Sequence, residues 1–455
     1  MFNPEIFREY DIRGVYNGQF DLDFAEKLGR SLVSFINQKT NKKKLRITIG
    51  HDARLSSPDI VQALSKGLRL SGADVILLGM VTTPMAYFST FEVPDIDGSF
   101  MVTGSHNPPE YNGFKISVGK TTIFGQDIKA LEKIINDSNF LSGTGSESKI
   151  DIFPTYVERY KKEFGQLPNV PVILDCGNGA AGVVARRLYE AVGLKPTILF
   201  EEPDGRFPNH HPDPTVKENL VALSEAVRST KAIVGIGLDG DSDRIGVVDE
   251  NGDMIYGDEL IALCARFVLE KHPGAKIIGD VKCSDRLYAY IEKHGGTPIM
   301  WMTGHSLIKE KIKVESSPFG GELSGHVFFA DRNYGYDDAL YAGLRVIEIL
   351  AKTKKTIRQI LSDLPGAYNT PEIRIDTTEA KKVSIVAALK KKYSAPSPDY
   401  KVNLIDGIRI SFKNGWALAR ASNTQPVLVL RFESNTEVGL RKISDEINAV
   451  VQPLL

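Results

Sequence analysis

The sequence predicts an α/β protein of several domains, with three similar α/β units in series and a smaller α+β unit at the C-terminal end. Three observations carry this. The chain has 455 residues, too many for one core when domains run to about 100–200 residues, so three or four units are expected. Apolar runs ending in Gly or Asp recur, each followed by an amphipathic helical pattern. From residue 366 onward that alternation stops.

In the first unit, LRITIGHD and ADVILLG read as strands, SPDIVQALSKGLRLSG as an amphipathic helix, and a further helix follows TTP. The scheme returns at VPVILDCGNGAAGVVARRLYEAVGL, where a strand gives way to a Gly-rich turn and a helix. It returns again at AKIIGDVKCSDRLYAYIEKHGG, followed by TPIMWMTGHSLIKEKI. Such units describe parallel strands with crossover helices and place polar loops at strand carboxyl ends, the edge where ligands bind. Beyond the turn GAYNTPEI, the segments TPEIRIDTT, AKKVSIVAALKKKY, VNLIDGIRISFKNGWALARAS and QPVLVLRFES, with a last helix, read as a mixed sheet with helices on one side. The polar stretch TGSESKIDIFPTY and the turn DENGD mark the other borders, giving units 1–150, 151–252, 253–365 and 366–455.

Composition excludes several classes. With 42% hydrophobic and 25% charged residues the chain can build ordinary cores. Lys plus Arg (56) balance Asp plus Glu (57), so no global basic field exists to hold nucleic acid or a membrane surface. A bound anion must therefore be held by local cations. Cys176, Cys264 and Cys283 lack CxxC spacing, which fits a reducing, cytoplasmic setting. The start MFNPEIFREYDIRG has no secretory pattern, and no apolar run approaches the roughly 18 residues of a membrane span.

Four loops carry chemistry. TGSHNPPEYNGFK holds Ser105, which is either a nucleophile or one polar residue in a turn-rich loop. In LDGDSDR, Asp239, Asp241 and Asp243 alternate after an apolar strand and would repel one another without a cation; their oxygens suit a hard ion such as Mg2+. As a calcium loop the stretch fails, because Arg244 stands where the turn glycine is needed. An aspartyl-phosphate phosphatase remains open on these residues but leaves the serine loop without a role. In GGELSGH, Glu322, Ser324 and His326 alternate between glycines; extended backbone would turn all three to one face as a reader of sugar hydroxyls, and a Gly-rich bend with exposed polar residues is the alternative. RASNTQP combines Arg420 with Ser422, Asn423 and Thr424 in a loop able to wrap a phosphate. Arg13, Lys115, Arg244 and Lys282 are cations at strand ends, and His305 stands at a helix start, where anions are attracted.

Taken in this order, the four loops resemble those of the α-D-phosphohexomutase superfamily, closest to its bacterial phosphomannomutase/phosphoglucomutase branch, and the resemblance spans the chain from FREYDIRG onward. It implies four domains around a central cleft, three similar α/β domains with mixed sheets plus a smaller, mobile C-terminal domain. It further implies that Ser105 is phosphorylated in the resting enzyme and that Asp239, Asp241 and Asp243, with a phosphoserine oxygen, bind Mg2+. Glu322, Ser324 and His326 would read the sugar, and Arg420, Ser422, Asn423 and Thr424 the non-reacting phosphate. Tyr10, Arg13, His106, Lys115, Arg244, Lys282 and His305 would line the cleft.

The implied cycle passes through a hexose 1,6-bisphosphate that turns around before returning a phosphoryl group to Ser105. The implied partner is a small phosphosugar, with the protein a monomer or weak dimer. As general acid or base, Lys115 comes first if neighbouring cations lower its ammonium pKa, then His106; Arg13 stays protonated and stabilises charge. GELSGH is near the GEMSGH of dual mannose/glucose enzymes, whereas the glucosamine branch resembles GEQSGH, so Leu323 argues against that alternative. A sugar-phosphate binding protein without activity is the remaining alternative, disfavoured by the intact serine and aspartates.

Overall fold

The computed structural model describes residues 2–422 and 425–455. Its strands form four sheets in chain order. In the first, Arg46–His51 is flanked in parallel by Asp74–Met80 and Gly98–Val102, while Tyr111–Val118 runs antiparallel to Gly98–Val102 and carries Ile12–Val15 at its far edge. In the second, Val172–Asp175 lies parallel to Val234–Leu238 and Thr197–Leu199, and Ile245–Val248 is antiparallel. In the third, Lys276–Asp280 lies parallel to Thr297–Trp301 and Phe319–Gly321, and Val327–Phe329 returns antiparallel. The crossover strands are thus parallel and each of these three sheets is mixed, both as expected. Tyr111–Val118, Ile245–Val248 and Val327–Phe329 each follow their antiparallel partner by a loop too short for a crossover helix.

The fourth sheet corrects the expectation of a mixed one. Tyr400–Asn403, Ile408–Phe412, Gly415–Ala421 and Val427–Ser434 are joined successively and pair antiparallel, as does Ile373–Asp376 on Val427–Ser434. Loops as short as 413–414 permit only hairpins. Helices Glu379–Lys392 and Glu437–Val451 cover one face, with Ile385, Leu389, Ile443 and Ile447 buried against Ile410, Leu428 and Phe432.

One core fills the first sheet's outer layer, and a larger one runs continuously through the second and third. Helix Ala339–Thr353 explains that continuity. Its sequence ALYAGLRVIEIL is apolar on nearly all sides, and every residue from Ala339 to Leu350 is buried between the two sheets. The uncovered face of the fourth sheet docks on the third unit through Trp416 and Leu418, which pack on Val281. Arg409 lies 3.6 Å over the Trp416 ring and donates to the carbonyls of Val281 and Cys283. Losing a buried Trp costs about 3–5 kcal/mol. Trp416→Ala is therefore expected to raise hydrogen exchange in strands Gly415–Ala421 and Val427–Ser434 while leaving the first sheet protected; unchanged exchange contradicts the docking role.

Candidate active site

Ser105 sits where strand Gly98–Val102 ends, in a left-handed backbone conformation (φ 50°) that few non-glycine residues adopt. Its amide donates to Thr103 Oγ1 (2.8 Å), and its hydroxyl donates to Asp239 Oδ2 at 2.9 Å. His106 Nδ1 lies 3.2 Å from the same hydroxyl. Burial, then Arg244 and Arg13, hold the His106 imidazole well below its usual pKa, so it stays neutral. Arg13 pairs with Asp11 and reaches Asn107 Oδ1 at 3.4 Å.

The loop after strand Val234–Leu238 brings Asp239, Asp241 and Asp243 together, fully buried, with ligand oxygens within 4.8 Å of one another. Lys115, from strand Tyr111–Val118 of the first sheet, donates to Asp241 Oδ2 (2.6 Å) and to Asp243, and Thr83 Oγ1 donates to Asp241 Oδ2 at 2.5 Å. Burial and its two neighbours push the Asp239 carboxyl well up. Asp241 is driven down: burial opposes this, but Lys115 outweighs it. For Lys115 the structure corrects the sequence reading. Burial disfavours its ammonium, yet Asp241 and Asp243 prevail and raise its pKa, so its neighbours keep the proton on instead of lowering it toward neutrality. Lys115 is shared by two of the three carboxylates, and among the described residues the Asp241 and Asp243 Oδ1 atoms are buried without a hydrogen-bond partner. All-oxygen donors with two such atoms free fit a hard divalent cation.

In the third unit, the expected extended reader is a tight turn. Residues 322–326 close the hairpin between Phe319–Gly321 and Val327–Phe329, with Gly325 N donating to Glu322 O (3.0 Å) and Gly325 at φ 84°. The three side chains therefore do not share a face by alternation. Glu322 is buried and accepts from Gly304 N, so the helix His305–Glu315 already has a carboxylate at its N-terminus. His326 accepts at Nε2 from Arg244 Nε (3.0 Å), while its Nδ1 faces Asp243 O (3.1 Å) and Asp337 Oδ2 (2.9 Å). Ser324 is half-buried at the turn's tip. His305 is buried with its ring 5.5 Å from that of His326.

The remaining cleft residues join the units. Tyr10 Oη donates to Thr303 O at 2.5 Å, and Thr303 N donates to Asp406 Oδ2 of the fourth unit (3.1 Å). Asp406 also accepts from Arg420 Nε at 3.0 Å. Lys282 lies 3.1 Å from Glu372 and 3.8 Å from Asp280. Ser422 follows Arg420 in a buried position, whereas Asn423 and Thr424 lie outside the described residues. The sequence reading missed Thr83, Asp280 and Asp337. Asp280 is buried and accepts from Thr303 Oγ1, Leu323 N and Cys283 Sγ, tying three loops together. Its only sequence signal is an acid at a strand's carboxyl end, GDVK.

All four units match parts of one family: phosphoglucomutase/phosphomannomutase alpha/beta/alpha domain I over residues 4–142, domain II over 154–252, domain III over 256–368, and the C-terminal domain over 372–450. A phosphomannomutase/phosphoglucomutase of Pseudomonas syringae pv. tomato is 43% identical over 444 residues, covering 98% of this chain and 94% of the relative. A phosphoglucomutase of Neisseria gonorrhoeae is 40% identical over 454 residues, covering 98% and 97%. The crystal structure of a phosphoglucomutase/phosphomannomutase family protein from Burkholderia thailandensis superposes with a TM-score of 0.92 at 41% identity, covering 100% of this chain and 98% of that one. The chain belongs to the phosphoglucomutase/phosphomannomutase family.

Behind the metal-type loop, Ala339 N donates to Ser242 O (3.1 Å), and the preceding Asp338 caps the helix through Tyr341 N (2.9 Å). Asp338 also accepts from Tyr156 (2.7 Å) and Tyr160 (2.5 Å). Burial raises its carboxyl from 3.8 to about 6 despite these bonds. A raised carboxyl binds its proton more tightly in the folded state, so stability falls as pH rises from about 4 to about 6. Asp338→Asn keeps the cap and should flatten that part of the pH profile of the thermal midpoint; an unaltered slope contradicts the assignment.

Proposed function

We propose that this protein interconverts hexose 1-phosphates and hexose 6-phosphates, with mannose and glucose as the sugars, by way of a phosphorylated Ser105 and a hexose 1,6-bisphosphate. The observation that carries this reading is the convergence of Ser105, Asp239 and Lys115 from two units on one buried point. The four segments 1–150, 151–252, 253–365 and 366–455 would then supply, in turn, the phosphoryl carrier, the metal loop, the sugar reader and the phosphate grip.

In the forward half-reaction the P–Oγ bond of phosphoserine breaks and a P–O bond to a sugar hydroxyl forms. That hydroxyl loses its proton and the departing Oγ takes one up, so the half-reaction is proton-neutral overall. In the free serine that proton lies in the Oγ–Asp239 Oδ2 hydrogen bond, and the neutral His106 Nδ1, 3.2 Å from Oγ, can accept a proton but not supply one. Lys115 and Arg244 hold fixed positive charge beside the transferring group, the main requirement of phosphoryl transfer. Asp239, Asp241 and Asp243 would hold Mg2+, which when bound supplies further charge to the phosphoryl oxygens. Glu322 would orient the sugar hydroxyls, with His326, whose ring nitrogens are taken up by Arg244, Asp243 and Asp337, holding Arg244 beside it, and Arg420, fixed through Nε by Asp406, would turn its terminal N–H groups to the distant phosphate. Free, buried Cys176, Cys264 and Cys283 are compatible with work in the cytoplasm.

Ser105→Ala should lower turnover by at least about 10³-fold without loss of folding, and retained turnover contradicts the reading. Arg420→Ala removes charge-assisted bonds worth about 1.5–3 kcal/mol and should raise KM about 10- to 100-fold while kcat changes little. A lost kcat at unchanged KM would place Arg420 elsewhere in the mechanism.

A further inference from the structure

Arg54 is among the largest fully buried side chains, yet it lies in no apolar core. It follows the strand end HDARLSS, where the sequence shows only one more surface-type arginine. Its guanidinium donates to four backbone carbonyls of the serine loop: Ser105 O (2.9 Å), Asn107 O (2.5 Å), Pro108 O (2.5 Å) and Tyr111 O (2.9 Å). The fifth donor, Nε, goes to Asp52 Oδ2 at 3.2 Å. A guanidinium has five N–H donors, so none is left for a substrate phosphate.

Asp52 grips the same loop from the other side. It is 1% exposed, and its Oδ2 accepts from Thr103 Oγ1 (2.8 Å) and Gly104 N (3.2 Å), while Oδ1 accepts from Ser57 Oγ (2.8 Å) and Arg54 N (3.0 Å). Thr103 Oγ1 in turn accepts the Ser105 amide. The second unit closes the assembly with the Phe207 ring 5.2 Å from the Arg54 guanidinium. A Cβ on Gly104 would come within 2.5 Å of that guanidinium, so loop and arginine are fitted to each other.

We infer that Arg54, clamped by Asp52, is the positioning residue that holds Ser105 in its left-handed conformation and so aims its hydroxyl at Asp239. Strained backbone of this kind persists only where its surroundings over-determine it, and the loop TGSHNPPEYN forms no helix or strand of its own between Thr103 and Glu110. Four carbonyl bonds from one planar, permanently charged group supply that determination. Lysine, with three donors on a tetrahedral nitrogen, cannot reproduce it.

The inference rests on Ser105 being the phosphoryl carrier, and the test separates the two. Wild type, Arg54→Lys and Ser105→Ala are compared for kcat, KM, thermal midpoint and, by intact mass after exposure to a hexose 1,6-bisphosphate, the fraction of chains carrying one phosphoryl group. Arg54→Lys is expected to lose about 100-fold in kcat with KM within about 3-fold, and its phosphorylated fraction should fall even at temperatures where it is fully folded. Wild-type kcat per folded molecule, whatever the change in midpoint, would reduce Arg54 to a structural role and overturn the inference. If Ser105→Ala turns over normally, the carrier assignment falls; if it is inactive while Arg54→Lys matches wild type, only the present inference falls. Should Arg54→Lys not fold, Thr103→Val cuts the Asp52 tie with Arg54 in place: a roughly 10-fold lower kcat at unchanged KM supports the clamp, and an unchanged kcat overturns it.

Discussion

The site depends on one buried ionic contact, Lys115 of the first sheet lodged between Asp241 and Asp243 of the second. All of these groups are almost wholly removed from water. Carboxylates within 4.8 Å of one another repel by about 3–4 kcal/mol per pair at an effective dielectric near 20, so the aspartate loop is held together against its own charge. Lys115 offsets part of that repulsion and, because it comes from another unit, fixes the two sheets in register at the point where Ser105 meets Asp239. The three clustered carboxylates could hold a metal ion. Burial of these charges makes the contact a poor stability device and a good preorganised one, since buried charges are retained where function needs them.

From this contact the network spreads in both directions. Arg244 continues the aspartate loop into the third unit through His326, and His326 in turn faces Asp337. Asp280 then links Thr303, Leu323 and, at longer range, Lys282. Thr303 carries the connection to Tyr10 of the first unit and to Asp406, which orients Arg420 of the fourth. Among the described residues Arg13, Lys115, Lys282 and Arg420 each have a carboxylate partner and Arg244 has the His326 imidazole, so these guanidiniums and ammoniums are held in place before any anion arrives. Such preorganisation is what phosphoryl transfer asks of a protein, whose task there is placement of charge more than covalent activation.

Much of this was legible in the chain. Alternating apolar runs and Gly/Asp strand ends mark the strands and loops that carry Ser105, Asp239 and Lys282, because a half-buried α/β unit needs that pattern. What pattern reading misses is set by tertiary contacts. GELSGH looks extended by spacing, but the hairpin it closes demands a turn, and its glycines permit one. Lys115 looks like a group crowded by cations, whereas its nearest neighbours, over a hundred residues away in sequence, are acids. Thr83 and Asp337 acquire their places only when the sheets meet, and Arg54 reads as a surface charge until its five donors are traced.

The central claim is that the phosphoryl group resides on Ser105 and that the aspartates hold a cation. It is tested most directly by exposing the protein to a hexose 1,6-bisphosphate with Mg2+, digesting it, and locating the acquired phosphoryl group by peptide mass spectrometry with and without hydroxylamine. The account predicts one hydroxylamine-resistant phosphate on the peptide containing Ser105. A hydroxylamine-labile phosphate on the peptide containing Asp239, Asp241 and Asp243 would contradict it and make an aspartate the carrier.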